Sequence, residues 1–153
     1  MKVGVYEIIN DPLPQLSQIR EIDAKPSEFK SDKGMVTLLN RELNMDKLHA
    51  EHMYVIAHTS VLVPKGILLA AVGSGRKAEF DTRTVGTGLL LLGAERFTVF
   101  HNHPNKVKKL SKGDMVVTFK AQHMAAILGL NFDDHIMITE GFYDYCDKDI
   151  NDY

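Results

Sequence analysis

The sequence predicts an α/β or mixed-sheet fold in which short strands and helices alternate along one domain. Two observations support this: strand-length runs rich in β-branched and aromatic residues, and longer amphipathic segments without proline between them. The chain has 153 residues, of which 44% are hydrophobic and 25% charged, an ordinary composition for one globular domain. Strands that alternate with helices are typical of a sheet covered by helices.

The N-terminal part predicts little regular structure. A short leading strand is followed by a polar, proline-containing stretch over residues 11–33, which we interpret as a weak boundary. Residues 35–47 then predict a short helix. One domain preceded by an N-terminal extension is the simplest organisation.

The middle of the chain predicts the strands that would form the centre of the sheet. The expected elements are strands over 51–59, 66–72 and 96–100, with a helix over 82–94. Alternation in the first of these strands places Glu51, Met53, Val55 and Ala57 on one face. Glu51 is therefore expected at the entrance of a strand, facing a covered side. The strand over 96–100 runs directly into His101.

The C-terminal part predicts a second long helix and a hairpin. Ser111 followed by Asp114 marks a helix start, and Gly129 marks its end. The apolar stripe of this helix is expected to comprise Val116, Phe119, Ala126 and Ile127. Residues 134–139 and 142–146 then predict two short strands joined by a turn at Glu140 and Gly141.

A histidine pair carries the most informative chemistry. In the run His101, Asn102, His103, Pro104, the two histidines are two positions apart, so on a strand their side chains point to the same side and can bind one ion. A catalytic zinc site uses three protein ligands and a water, so a third ligand is required. Asp114 can supply it if the following helix begins beside the strand end.

Simpler interpretations of these residues exist. Ser111 and Asp114 have the spacing of a capping box, which requires no metal. A histidine can equally be a hydrogen-bonded structural residue. The complete pattern, with Glu51 on an upstream strand and ten residues between His103 and Asp114, favours a catalytic metal site over unrelated structural residues.

The combination of Glu, then His-x-His-Pro, then Ser-x-x-Asp resembles the JAMM motif of the JAB/MPN metalloenzyme superfamily. The letters His-Asn-His-Pro at residues 101–104 resemble its RadC-like branch. That branch also has a threonine inside the helix and an Asp-His-Ile segment on the next strand. These features are matched here by Thr118, Asp134, His135 and Ile136. The resemblance covers about residues 48–145.

The resemblance implies a fold, an activity and a set of site residues. The expected fold is a JAB/MPN, cytidine-deaminase-like, three-layer arrangement of a mixed β-sheet flanked by helices, spanning residues 48–153, with residues 1–47 as an extension packed on it. The implied function is a zinc-dependent hydrolase, a metallopeptidase or isopeptidase that cleaves an amide bond in a peptide or protein substrate. Zn²⁺ would be held by His101, His103 and Asp114, with Glu51 as general base and Ser111 stabilising the oxyanion.

Some positions depart from the family pattern or have no assigned role. Asn105 and Lys106 replace the usual Ser-Gly after the proline, which puts the shape and charge of the substrate groove in doubt. His135 is either a partner of a metal ligand or a structural residue, and we favour the structural role. No catalytic role is assigned to the remaining candidates, His52, His58, His123 and Cys146.

Other classes of protein are less consistent with the sequence. One cysteine excludes an internal disulfide and the zinc deaminase signature, and without a recognisable secretory leader we expect a cytoplasmic location. The apolar runs are far shorter than the roughly 20 residues of a membrane span. The alternative function is a DNA-associated RadC-like binding module without hydrolytic activity. It is suggested by a lysine cluster, defined as Lys106, Lys108, Lys109 and Lys112. The sequence leaves the oligomeric state open.

Overall fold

A single mixed sheet organises the chain. The computed structural model describes residues 1–73 and 79–146, and seven strands lie within these ranges. The strands are β1 (Lys2–Asn10), β2 (Pro14–Asp23), β3 (His52–His58), β4 (Pro64–Val72), β5 (Arg96–Asn102), β6 (Asn131–Thr139) and β7 (Phe142–Tyr145). The helices are α1 (Asp32–Leu43), α2 (Thr82–Leu92) and α3 (Lys112–Leu128).

The strand order places the parallel strands β5 and β6 next to each other. The order across the sheet is β2-β1-β4-β3-β5-β6-β7. β1 and β4 pair in parallel, as do β5 and β6, and the other pairs are antiparallel. Because α3 connects β5 to β6, both strands end at the same edge of the sheet, and α3 begins at that edge.

Helices cover both faces, which confirms the predicted three-layer α/β arrangement. One core lies between the sheet and α1 and includes Ile56 and Phe100. The other lies between the sheet, α2 and α3, and includes Val55 and Val99. Side chains alternate along a strand, so His101 faces the same side as Val99, toward α3. Among the described residues, no helix is long and apolar enough to cross a membrane.

The polar N-terminal stretch contains a strand that the sequence analysis missed. Pro14–Asp23 forms β2, which pairs antiparallel with β1 along its length. It is an edge strand and most of its side chains are exposed, so the apolar alternation that reveals a half-buried strand is weak. The helix expected over 35–47 is present as α1, although it begins at Asp32 and ends at Leu43.

The predicted apolar stripe of α3 was wrong about which face is buried. Val116, Phe119 and Ile127 are exposed, Ile127 by 83%. The buried face instead comprises Asp114, Val117, Thr118, Ala121, Met124 and Ala125. Two polar residues, Asp114 and Thr118, interrupt this face, so hydrophobic periodicity does not reveal it. The hairpin between β6 and β7 is confirmed, with Gly141 at a φ of 70°.

Candidate metal centre

Two histidines and one aspartate converge where β5 ends and α3 begins. His101 lies in β5, and His103 follows the strand with its backbone held to β6 by hydrogen bonds to Ile138 and Thr139. Asp114 lies in the first turn of α3. All three side chains are buried, with exposed fractions of 1%, 9% and 4% respectively. Buried polar side chains in contact with one another at a strand end are arranged for a polar ligand.

The distances between these side chains fit a metal ion. Nε2 of His101 lies 3.1 Å from Nε2 of His103 and 3.1 Å from Oδ1 of Asp114. Nε2 of His103 lies 3.3 Å from Oδ2 of Asp114. A zinc ion with bonds of about 2.0–2.1 Å holds tetrahedral ligand atoms about 3.3 Å apart. Two imidazole nitrogens and one carboxylate oxygen can therefore hold a metal with little movement.

The electrostatics of this cluster favour a cation. Burial alone would raise the pKa of Asp114, but hydrogen bonds from His101 and His103 outweigh it and hold that pKa well below its usual range. Burial would lower the pKa of His103, yet hydrogen bonds to Asp114 and to the Val107 carbonyl raise it. The carboxylate is thus ionised and attracts protons to the His103 ring. A metal ion bound there would displace such protons, which makes its affinity depend on pH.

Each imidazole has a partner on its other ring nitrogen. Nδ1 of His103 lies 2.8 Å from the carbonyl oxygen of Val107, so it donates its hydrogen there and leaves Nε2 directed at the cluster. Nδ1 of His101 lies 2.8 Å from Nε2 of His135, which is fully buried. Burial, and then the nearby charge of His101, hold the pKa of His135 well below its usual range, so its ring is neutral.

The sequence analysis favoured a purely structural role for His135, and the structure places its ring against a predicted ligand. A histidine directly before the apolar residues 136–138 of a strand was the available signal. The register pairs Val99 with His135, which directs the side chains of β5 and β6 toward α3 together.

Glu51 and Ser111, the other predicted site residues, lie beside the cluster. Both line a cavity of about 520 Å³ that also contacts His103. Glu51 additionally lines a second cavity of about 330 Å³, which contacts His101 and Asp114. The negative charge of Glu51 contributes to raising the pKa of His103, so its carboxylate acts on the centre. All five predicted site residues are therefore brought together at one edge of the sheet.

Ser111 caps α3 as the simpler interpretation suggested. Its hydroxyl accepts a hydrogen bond from the Asp114 amide at 3.2 Å, and its own amide donates to Oδ2 of Asp114 at 2.8 Å. This capping box holds the carboxylate of Asp114 in place beside the histidines. A hydroxyl that accepts one hydrogen bond retains its own hydrogen as a donor, so capping and oxyanion stabilisation are compatible.

Asn102 is a residue that the sequence analysis did not assign. Its side-chain oxygen accepts a hydrogen bond from the His52 amide at 2.6 Å, and its side-chain nitrogen donates to the Ala50 carbonyl at 3.1 Å. The amide therefore holds both neighbours of Glu51. Its position between the two histidines was the available signal, because the side chain at this position points to the opposite side of the strand from the predicted ligands.

A second group of side chains can be considered for a metal. His101, His135 and Cys146 are buried and their ligand atoms lie within 4.8 Å of one another. However, the facing nitrogens of His101 and His135 are at a hydrogen-bond distance of 2.8 Å. An ion there would have to break this bond. The cluster of His101, His103 and Asp114 is the better site.

A three-layer α/β domain with a buried cluster of two histidines and an aspartate at the end of a central strand defines the class of this protein. The family model described as RadC-like JAB domain matches residues 29–149, and the chain belongs to this family. The match includes α1, and the proposed division of the chain at residue 48 stays a prediction.

Curated relatives with similar sequences are UPF0758 proteins. The chain is 28% identical to one from Clostridium acetobutylicum in an alignment of 145 residues that covers 91% of this chain and 63% of the relative. It is 27% and 26% identical to two from Lactococcus lactis, covering 65% and 71% of this chain and 43% and 47% of those proteins. The chain thus spans less than two thirds of these relatives.

Proposed function

We propose that this chain is a zinc-dependent hydrolase that cleaves an amide bond in a peptide or protein. The observation that carries the proposal is the convergence of three buried ligand atoms, of His101, His103 and Asp114, at separations of 3.1 to 3.3 Å. This centre borders cavities lined by Glu51 and Ser111. Membership of the JAB family supports the proposal.

Each residue has a distinct role in the proposed reaction. Zinc, when bound, supplies a water of lowered pKa and polarises the scissile carbonyl. Glu51 accepts a proton from the attacking water and passes it to the leaving amine, as a general base and then a general acid. Ser111 donates its hydroxyl hydrogen to the oxyanion that forms at the carbonyl. Asn102 holds the backbone on both sides of Glu51.

The shape of the centre supports a substrate that extends in two directions. The cavity on the His103 side is lined by His49, Val107 and Lys109, and the other by Met53, Phe80 and Val117. Glu51 borders both, so the bond to be cleaved would lie between two occupied regions. A peptide cut internally or an isopeptide would have this form, with an apolar segment on the side of Phe80.

The first experiment measures zinc stoichiometry after reconstitution. We expect about one zinc per chain in the wild type, and loss of zinc in His103→Ala and Asp114→Ala, because each removes one of three ligands. Glu51→Gln should retain zinc and lose cleavage of a proteome-derived peptide library followed by mass spectrometry. Absence of zinc in the wild type would refute the proposal, and loss of zinc in Glu51→Gln would show that ligand and base were misassigned.

The role of Ser111 can be separated from capping by substitution. Glycine is nearly as good an N-cap as serine and costs only a few tenths of a kcal/mol, but it has no hydroxyl. Ser111→Gly should therefore stay folded and bind zinc while its cleavage rate falls by about 100-fold or more, as for loss of an oxyanion donor. Full activity of this variant would limit the serine to capping.

The DNA-associated alternative depends on the lysine cluster, whose members have different surroundings. Lys106 forms an ion pair with Glu140 at 3.0 Å, and Lys108 lies 5.3 Å from the centre of the Phe142 ring. Lys109 lines the cavity beside His103. Because these lysines have different contacts, they do not form one uniform basic surface. This arrangement supports steering of an acidic polypeptide more than binding of a phosphate backbone.

A salt titration distinguishes the two functions. If four lysines contacted phosphates, the logarithm of the DNA affinity would fall against that of salt with a slope of about -3. We expect weak DNA binding at physiological salt, and slower peptide cleavage in the Lys108→Glu, Lys109→Glu variant. Tight, salt-dependent DNA binding that this variant abolishes, without any hydrolysis by the wild type, would favour the binding module.

A further inference from the structure

Behind His101 lies a chain of hydrogen-bonding groups that ends on Asp114. Nδ1 of His101 is 2.8 Å from Nε2 of His135, and Nδ1 of His135 is 2.9 Å from the hydroxyl oxygen of Thr118. That hydroxyl lies 3.1 Å from the backbone carbonyl oxygen of Asp114. His135 and Thr118 are both fully buried. The path thus connects two of the three predicted ligands through side chains shielded from water.

The direction of these hydrogen bonds determines whether His101 can bind a metal. A carbonyl oxygen only accepts, so if Thr118 donates its single hydrogen to Asp114, then Nδ1 of His135 must donate to Thr118. A neutral His135 then has a bare Nε2, which accepts from Nδ1 of His101. In a neutral His101 the hydrogen is then on Nδ1, and Nε2, which lies 3.1 Å from Oδ1 of Asp114, is free to coordinate an ion.

The opposite direction would block the site. If Thr118 donated to His135, the His135 ring would donate to Nδ1 of His101. The hydrogen of a neutral His101 would then be on Nε2, the atom that must coordinate. A doubly protonated His135 would place an unpaired charge in a fully buried position, since its ring contacts a hydroxyl and another imidazole. Only a path whose donors point toward the Asp114 carbonyl therefore places the hydrogen of a neutral His101 on Nδ1.

We propose that His135 and Thr118 are positioning residues that hold His101 in its metal-competent tautomer. They form a relay, defined as Asp114 carbonyl, Thr118, His135 and His101, in which each donor points toward Asp114. This inference rests on the proposed function only for its consequence, zinc binding; the tautomer itself exists without metal. Ligand histidines usually donate to a carboxylate or a backbone carbonyl, and here a second imidazole takes that place.

The first test reads the tautomers directly in the metal-free protein. ¹⁵N-histidine NMR at pH 7.5 should show His101 and His135 with the hydrogen on Nδ1, assigned by comparison with His135→Leu. Thr118→Val removes the hydroxyl at nearly constant shape and should shift His135 toward the Nε2–H form. Thr118→Ser restores the hydroxyl and should restore the wild-type spectrum. Wild-type His101 without a hydrogen on Nδ1 would overturn the relay, and so would a Thr118→Val spectrum identical to wild type.

The second test measures zinc affinity by competition with a chromophoric chelator. Loss of a partner behind a ligand typically weakens metal binding about 10- to 100-fold, which we expect for His135→Leu, with about 10-fold for Thr118→Val. Thr118→Ser should remain within about twofold of wild type if the hydroxyl is the operative group. The matched control is His123→Leu, because His123 is exposed on α3 and bonds only the Phe119 carbonyl in the described part of the chain. Equal affinity in Thr118→Val, Thr118→Ser and wild type would overturn the proposal.

The two experiments separate failure of the relay from failure of the proposed function. A wild type that binds no zinc would refute the hydrolase proposal, and the NMR tautomers would still decide the relay. Conversely, zinc binding that depends on His103 and Asp114 but is indifferent to Thr118 would retain the metal site and exclude the relay.

Discussion

Two fully buried histidines in different parts of the sheet, His135 and His58, have opposite surroundings. His135, at the metal end, has a hydrogen-bonding partner on each ring nitrogen. His58, the last residue of β3, has no hydrogen-bonding partner on either ring nitrogen within the described residues. Near it, Thr98 is also buried without a partner in the described ranges. Burial lowers the pKa of both histidines.

The difference shows that burial alone does not identify a functional histidine. At the metal end the buried polar groups contact one another and converge on a single point, and α3 starts there. At the far end His58 lies near the ion pair of Arg96 and Asp133, whose charges act on its pKa in opposite directions. His135 is held by hydrogen bonds to His101 and Thr118. His58 is buried in its neutral form without such bonds among the described residues. The following predictions test this contrast.

The largest expected effect is the difference between His135→Leu and His58→Leu at pH 7.5 with chelator present. Removing His135 leaves His101 and Thr118 without the ring between them, which should lower the free energy of unfolding by about 1–3 kcal/mol. Removing His58 eliminates buried unpaired nitrogens, so stability should stay equal or rise by about 1 kcal/mol. Urea denaturation measures both. Similar losses in the two variants would remove the contrast.

Acid should destabilise the protein through His58. Burial, partly offset by Asp133 and reinforced by Arg96, lowers the pKa of His58 from 6.5 to about 4. The unfolded chain therefore takes up a proton near pH 6.5 that the folded chain refuses until near pH 4. Stability is lost as the pH falls through this window, by about 2 kcal/mol at pH 5 for this group.

The measurement is the change in unfolding free energy between pH 7.5 and pH 5, with chelator, for wild type and His58→Leu. The variant should lose about 2 kcal/mol less than the wild type over this interval. An identical pH dependence in the two proteins would mean that His58 has a partner when folded, or that it is not buried as described.

The smallest expected effect compares ion pairs at the two ends. Arg96 donates two hydrogen bonds of 2.8 Å to Asp133, and their side chains are 30% and 19% exposed. Lys106 and Glu140 at the metal end are 71% and 54% exposed. Asp133→Asn should cost about 1–2 kcal/mol, and Glu140→Gln should have a clearly smaller effect.

Denaturation at 0.1 M and 1 M salt provides the check on this pair of substitutions. Added salt should reduce any effect of Glu140→Gln to nothing measurable, because exposed charges are screened. An effect of Glu140→Gln as large as that of Asp133→Asn would show that the loop after Pro104 is held by Lys106 more firmly than its exposure implies.

Local signals were enough to predict much of the fold. The strands near residues 51–59, 66–72 and 96–100 and the long helix after Ser111 have strong periodicity and clear ends, and all are present. The edge strand β2 was missed because its exposed side chains carry no apolar pattern. The buried face of α3 was misassigned because the polar residues Asp114 and Thr118 interrupt its apolar pattern, whereas larger apolar side chains such as Ile127 remain exposed.

The sequence by itself determined which residues are candidates for chemistry, because ligand types and their spacing are local properties of the chain. His101 and His103 share a strand face whatever surrounds them, and Ser111 with Asp114 marks a helix start. The tertiary structure alone decided that Asp114 faces these histidines, that Asn102 holds the residues flanking Glu51, and that His135 contacts His101 rather than a remote part of the core. These contacts join residues 11 to 52 positions apart in sequence. The pairing of β5 with β3 and with β6 and the docking of α3 bring such distant groups within hydrogen-bond distance.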